Sequence, residues 1–489
     1  MPELDELVNA CLMPGFVGDQ VPRWVADAVG AGLAGVCLYG HNLGGGDGPT
    51  TARVAAMSRA LRAVAPDVLV ALDEEGGDVT RLEYLTGSSS PGNLALGVVD
   101  DVALTARVAT AIGTDLRRAG VDVDFAPSVD VNSDPRNPVV GVRSFGGDPE
   151  LVSRHGVAFV QGLQAAGVAA TAKHFPGHGA TSVDSHLGLP VIDVDEETFR
   201  RRDLPPFAAA VAAGVDLVMT SHVVFSALDD APATLSRRML ADLLRGELGF
   251  PGVVVTDALD MAGVRAAHGI AGAAVRSLAA GSDLLLLGAE DGEQHCADVR
   301  AAVAQALRDG TLTEERLVEA AGRVGALRAK LAGAAPPAAA GDAHADVGRT
   351  AARSALRPRS VRPLTAPAVV VELRAGANMA VGNAKWSLAE PLDRRRMLAD
   401  LVTVREGGTS VAEALAAVDR GPVVVVVRDA YRSAWQRDWL CRFVDGRPDA
   451  TVVALGMPDD LALVPGPAVA AHGAARAVTE AVADLLSGR

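Results

Sequence analysis

The fold turns on the stretch Gly167-Val168-Ala169-Ala170-Thr171-Ala172-Lys173-His174-Phe175-Pro176-Gly177-His178-Gly179. An apolar run, Gly167–Thr171, passes straight into a polar cluster, so the cluster sits where a strand ends. With Asp184-Ser185-His186 just beyond, fourteen residues hold a cation, three imidazoles and a carboxylate around two glycines. A solvated loop has no need of so many groups titrating near neutrality. In α/β sheets, open or closed, the ends of strands are where active sites form.

The same unit repeats on both sides of this stretch. Short apolar runs lie at Val36–Tyr39, Val68–Leu72, Val123–Val131, Ala169–Ala172, Leu217–Thr220, Val253–Thr256 and Leu284–Leu287, with a further candidate near Leu12–Val17. Amphipathic segments such as Thr51–Ala63, Val102–Arg118 and Pro149–Ala166 separate them. Strands alternating with helices predict a parallel sheet. Eight such units in roughly 300 residues predict an α/β fold of the (β/α)8 TIM-barrel type. The barrel is expected over residues 1–332, an Ala/Pro/Gly-rich linker over 333–346, and a smaller α/β domain over 347–489. The last segment has runs at Ala368–Leu373, Val423–Val427 and Val452–Leu455 but no GxGxxG and no P-loop lysine, so nucleotide binding is not expected there.

Composition narrows the partners. A net charge of −15 over 489 residues leaves no basic stripe for a nucleic acid. No apolar run approaches the length of a membrane span. The N-terminal residues are acidic where a signal peptide is basic, and Cys11, Cys37, Cys296 and Cys441 lack CxxC spacing. Free thiols in a reducing compartment, and hence a cytoplasmic protein, are expected.

Polar groups follow nearly every apolar run of the first domain. Asp73-Glu74-Glu75-Gly76-Gly77 and Arg81 follow one; Asp130 and Arg143, Lys173 and His174, Ser221 and His222, and Asp257 and Asp260 follow others. In a barrel these would converge on one mouth. Carboxylates, cations and imidazoles together suit a polyhydroxylated ligand, whose hydroxyls they meet with charge-assisted hydrogen bonds. Glycoside cleavage needs a nucleophile or base on one side of the anomeric carbon and a proton donor on the other. Two other readings of the central cluster stand beside this one. His174, His178, Asp184 and His186 could ligate zinc, and Gly177 and Gly179 could let backbone approach a phosphate.

Four blocks, DEEGGDVTRL (73–82), DFAPSVDV…GVRSF (124–145), KHFPGHG…DSH (173–186) and GVVVTDALDM (252–261), closely resemble glycoside hydrolase family 3, and within it the bacterial β-N-acetylglucosaminidases. The match covers most of residues 10–330; LGMPDDL (455–461) and Ala471-His472-Gly473 resemble the family's smaller α/β sandwich domain more loosely. The resemblance implies Asp257 as catalytic nucleophile and His186, paired with Asp184, as general acid/base. It implies that Asp73, Arg81, Arg143, Lys173 and His174 hold the sugar, with no metal or cofactor. Asp78 departs from the family's usual arginine and is expected to add negative charge near the mouth. The expected function is an exo-acting, retaining β-N-acetylglucosaminidase on cell-wall fragments or related glycosides, its acid/base carried on a mobile loop. A phosphorylase using phosphate as acceptor is the alternative, since a histidine acid/base does not repel phosphate as a carboxylate would. A non-catalytic sugar-binding barrel is a further one. Arg428, Asp429, Tyr431 and Arg432 are read either as a domain-interface network or as an active-site contribution.

Overall fold

The computed structural model describes residues 2–44, 50–183, 188–333, 343–374, 386–418 and 421–489. Eight parallel strands curl into a barrel: β1 (Leu12–Pro14), β2 (Gly35–Cys37), β3 (Leu69–Leu72), β4 (Val123–Asp124), β5 (Ala169–Phe175), β6 (Leu217–Thr220), β7 (Val253–Val255) and β8 (Leu285–Leu287). β2 to β7 form one continuous ladder in chain order. Val255 then bridges to Leu284, and β8 pairs with β1 in the register Leu12↔Leu285. β1 lies against β2, and just ahead of both strands Ala34 N–H donates to the Asn9 carbonyl at 2.9 Å. The apolar run near Leu12 is therefore a barrel strand.

The expected pattern fails in detail at two strands. β4 leaves the ladder after Asp124, although the apolar run continues to Val131; beyond it Ser128 bridges Lys173, and Val129 N–H donates to the Lys173 carbonyl at 2.7 Å. That extra backbone alongside keeps β5 extended to Phe175. Lys173 and His174 thus lie inside the strand, not after it.

Both faces of these strands are apolar, as parallel sheets require. Met13, Cys37, Leu69, Ala71, Val123, Phe125, Leu217, Met219, Val253 and Val255 fill the barrel interior. Their neighbours Leu12, Val36, Leu38, Val70, Leu72, Val218, Val254 and Leu285 belong to the layer shared with the helices. The helix Val102–Ala119 shows how local chemistry sets the ends. The Asp101 carboxylate accepts from Leu104 N–H, and Gly120 takes the left-handed conformation (φ 77°) that closes it.

A second sheet has the order β9 (Arg357–Arg359), β14 (Ala468–Ala470), β13 (Thr451–Ala454), β12 (Val423–Val427), β10 (Ala368–Leu373), β11 (Leu398–Val404), parallel except for β9. Val424 and Val426 face one apolar layer with Val478 and Val482, while Val425 and Val427 face another with Trp439 and Phe443. The result is a helix–sheet–helix sandwich. β9 and β11 escape detection in the sequence because they are exposed edge strands, carrying arginines in one and Asp400 in the other. Of the expected linker, most lies outside the described residues; its last four residues open the helix Ala343–Ala355. That helix joins the two layers: Ala351 packs into the barrel's apolar layer and Ala352 into the sandwich. At Gly348 a Cβ would stand 2.1 Å from the Ser89 carbonyl oxygen, so only glycine permits the approach.

Two buried carboxylates clamp the barrel's base. Asp122 accepts from Val70 N–H and pairs with Arg62 and Arg117. Asp283 accepts from Val254 N–H and pairs with Arg245, Arg316 and Arg323. Breaking such a pair leaves buried charge without compensation. Asp283→Ala is therefore expected to lower stability by about 3 kcal/mol, read as a lower urea midpoint by circular dichroism. An unchanged midpoint would contradict this account of the base.

Candidate functional site

At the C-terminal end of the barrel strands lies a cavity of about 590 Å³, lined by Asp73, Arg81, Arg143, Lys173, His174 and Asp257 among others. Asp73 and Asp257, 184 positions apart in the chain, thus share one space. Asp73 directly follows β3, Lys173 and His174 belong to β5, and Arg143 ends the turn Gly141–Arg143. Asp257 stands just past β7, behind Thr256, which is fixed by two bonds to the start of β8: Thr256 N–H to Leu284 O and Leu286 N–H to Thr256 Oγ1, each 3.0 Å.

Glu75 organises the charged wall. Arg143 grips it through Nη2 to Oε1 at 2.6 Å and Nε to Oε2 at 2.9 Å, and Lys173 Nζ reaches Oε1 at 2.7 Å. The same ammonium binds Asp73 Oδ1 at 2.7 Å. Glu75 is 2% exposed and Lys173 1%. Burial works against the Glu75 carboxylate, but Arg143 and Lys173 overcome it and hold the group well below the usual glutamate range. Burial likewise opposes the Lys173 ammonium, and Asp73 and Glu75 raise it above its ordinary value. The neighbouring Glu74 meets the opposite fate. It faces inward onto Arg81 N–H and Leu82 N–H, and burial pushes it up to about 7. In the sequence Glu75 is marked only by its place two residues after Asp73.

Asp130 organises the other wall. Its Oδ2 takes His174 Nδ1–H at 2.7 Å and Ser128 Oγ–H at 3.0 Å, and its Oδ1 takes His178 N–H at 2.7 Å. Arg143 can only donate, so His174 Nε2, 3.5 Å from Arg143 Nη2, accepts. The Asp257 Oδ1 accepts from Ala258 N–H at 2.8 Å. His222 bonds Thr234 Oγ1 and the Ala258 carbonyl, both at 2.9 Å, and so braces the turn that carries Asp257. Asp260 also lines the cavity, its carboxyl raised by burial and by the charge of Asp257.

The glycines of the central stretch face protein. A Cβ at Gly179 would lie 1.8 Å from the Val131 carbonyl oxygen, and one at Gly177 would meet Asp203 at 3.1 Å. Their smallness serves packing, which removes the reading of a phosphate cradle. Asp184 and His186 lie outside the described residues. Among the described residues no group of three or more His, Cys, Asp or Glu side chains is placed to hold a metal, and no helix is long and apolar enough to cross a membrane.

The sandwich reaches the loops around the cavity but contributes no lining residue among those described. Asp78, 7% exposed, pairs with Arg428 and accepts Ala474 N–H at 2.7 Å. It is a counter-ion between the layers rather than a free charge at the mouth. Tyr431 donates to the Pro135 carbonyl, Arg432 to the Asn137 carbonyl at 3.4 Å, and Arg476 pairs with Glu83. The polar cluster around Arg428 is thus a network across the interface.

A wall of paired charges thus lines the mouth of a (β/α)8 barrel, with the Asp257 carboxylate on the same cavity. The family model "Glycosyl hydrolase family 3 N terminal domain" matches residues 19–327. The chain belongs to glycoside hydrolase family 3. It is 34% identical, with a TM-score of 0.90, to a family 3 β-N-acetylglucosaminidase from Paenibacillus sp. str. FPU-7, over 99% of this chain and 96% of that one. It is 37% identical over 328 residues to beta-hexosaminidase A of Pseudoalteromonas piscicida, which is 61% of this chain and 54% of that protein. A beta-hexosaminidase of Pseudomonas aeruginosa is 39% identical over 52% of this chain and 75% of its own length. The chain thus spans about half the length of the first of these two curated relatives.

The lowered pKa of Glu75 has a thermodynamic consequence. Its stabilisation is full above its unfolded value of 4.5 and is lost as pH falls from there toward its lower folded value. Glu75→Gln is therefore expected to destabilise strongly at pH 7 and by a smaller margin near pH 3, measured by urea unfolding of both proteins. A margin that grows on acidification would contradict the assignment.

Proposed function

We propose that the chain is an exo-acting, retaining β-N-acetylglucosaminidase that removes terminal β-linked N-acetylglucosamine from cell-wall fragments or related glycosides. The observation that carries this reading is Asp257 opening onto the same cavity as the Asp73–Lys173–Glu75–Arg143 wall. The names of the relatives above support the choice of N-acetylglucosamine.

In this reading Asp257 attacks the anomeric carbon and forms a glycosyl-aspartate as the aglycone leaves. His186 protonates the departing oxygen and then takes a proton from the attacking water, with Asp184 orienting its ring and favouring its charged form. Asp73, Arg81, Arg143, Lys173 and His174 hold the sugar hydroxyls. Ion pairs with one another, Glu75 and Asp130 fix Asp73, Arg143, Lys173 and His174 before substrate arrives, which lowers the cost of ordering them during the reaction. The barrel domain is assigned to 1–332, the linker to 333–346 and the sandwich domain to 347–489. The free thiols support a cytoplasmic location: Cys11, Cys37 and Cys296 are buried, and burial pushes Cys11 up to about 12.

Turnover of 4-nitrophenyl β-N-acetylglucosaminide tests the reading. Asp257→Ala is expected to lose roughly four orders of magnitude or more, because no other group forms the covalent intermediate. His186→Ala is expected to cripple substrates with poor leaving groups, to spare formation of the glycosyl-enzyme from the aryl glycoside, and to regain turnover with azide. Wild-type release of free sugar is expected to be indifferent to added phosphate. Near-normal activity of Asp257→Ala, equal losses for all leaving groups in His186→Ala, or sugar phosphate as product would each overturn it.

A further inference from the structure

One polar side chain of the cavity has no work in the scheme above. His178 is 2% exposed and lines the cavity beside His174 and Asp257. Neither of its ring nitrogens has a hydrogen-bond partner among the described residues. A buried imidazole left so carries an uncompensated desolvation cost, one that a protein site retains where a ligand removes it. The contrast with His174 is sharp, since both nitrogens of that ring meet protein groups.

The ring is also held in place. Its backbone N–H donates to Asp130 Oδ1 at 2.7 Å, its carbonyl accepts from Asn137 Nδ2 at 2.8 Å, and Gly179 is pressed onto Val131. The ring meets His174 edge-on, with 6.0 Å between centroids. Burial outweighs the pull of Asp130 and brings its pKa down to about 4, so at neutral pH it is uncharged. A neutral imidazole offers one donor and one acceptor. The rest of that wall is charged and suits hydroxyls.

We infer that His178 reads the acetamido group on C2 of the sugar, its donor and acceptor meeting the amide carbonyl and N–H, and so sets the preference for N-acetylglucosamine over glucose. The assignment rests on the function proposed above. Asp257 marks the anomeric carbon, and C2 is the carbon next to it. His178 and Asp257 line the same cavity, whereas Asp73, Lys173 and Arg143 form the charged wall that suits the ring hydroxyls. An amide is the neutral donor–acceptor pair that such a ring complements.

The test compares 4-nitrophenyl β-N-acetylglucosaminide with 4-nitrophenyl β-glucoside. Wild type is measured first; a preference for the glucoside would overturn the substrate reading itself. Given the expected preference, His178→Leu should lower kcat/KM at least tenfold more for the N-acetylglucosaminide than for the glucoside. His178→Asn, which keeps a donor and an acceptor, should recover part of the discrimination, with the pH profile unmoved in both. Equal losses on the two substrates, or none, would overturn the contact. Should the leucine variant fail to fold, the wild-type protein decides. The ring ¹⁵N resonances of His178, assigned by their absence in His178→Asn, should shift on adding N-acetylglucosamine and not on adding glucose. Resonances that respond equally to both sugars, or to neither, would overturn it.

Discussion

A single buried carboxylate, Glu75, holds the candidate site together. It bridges Arg143, from the arm after β4, and Lys173, from β5. Without it two buried cations would face one another. With it, each cation keeps a fixed direction, and Lys173 retains a hydrogen for Asp73. Three strands' worth of backbone are thereby tied at the cavity wall by charge, in surroundings where charge–charge interactions are stronger than in water. The barrel below supplies the rigid frame, its base clamped in the same manner by Asp122 and Asp283.

The sandwich layer contributes by holding loops. Asp78 lies three residues beyond Glu75 and is anchored by Arg428 and Ala474. Asn137, contacted through its carbonyl by Arg432, donates to the His178 carbonyl and accepts from Val139 and Val140. Arg143 in turn donates to the Val139 carbonyl at 3.3 Å. The second sheet therefore steadies both loops that carry the charged wall while standing outside the cavity.

Much of this was legible in the sequence. The eight apolar runs gave the barrel because a parallel strand must be apolar on both faces, which leaves a continuous hydrophobic signature. Asp73, Lys173, His174 and Asp257 were legible as cavity residues because each lies at the end of such a run, and Arg81 and Arg143 because they lie in the family-like blocks that follow one. What escaped depends on contacts between distant segments. The extension of β5 through His174 comes from backbone at Ser128 and Val129. The partner of Asp78 lies 350 positions away. The packing role of Gly179 appears only once Val131 is beside it. Edge strands β9 and β11 carry too many polar residues to announce themselves. Asp184 and His186, the expected acid/base pair, rest on the sequence resemblance alone.

The central claim is that Asp257 becomes covalently bonded to the sugar. A fluorinated N-acetylglucosaminide with an activated leaving group, one that forms the intermediate faster than water removes it, tests this directly. Digestion and mass spectrometry should find one added sugar on the peptide carrying Asp257, bonded at that residue and absent from Asp257→Asn. A sugar bonded at any other residue, or steady turnover with no labelled protein, would contradict the account.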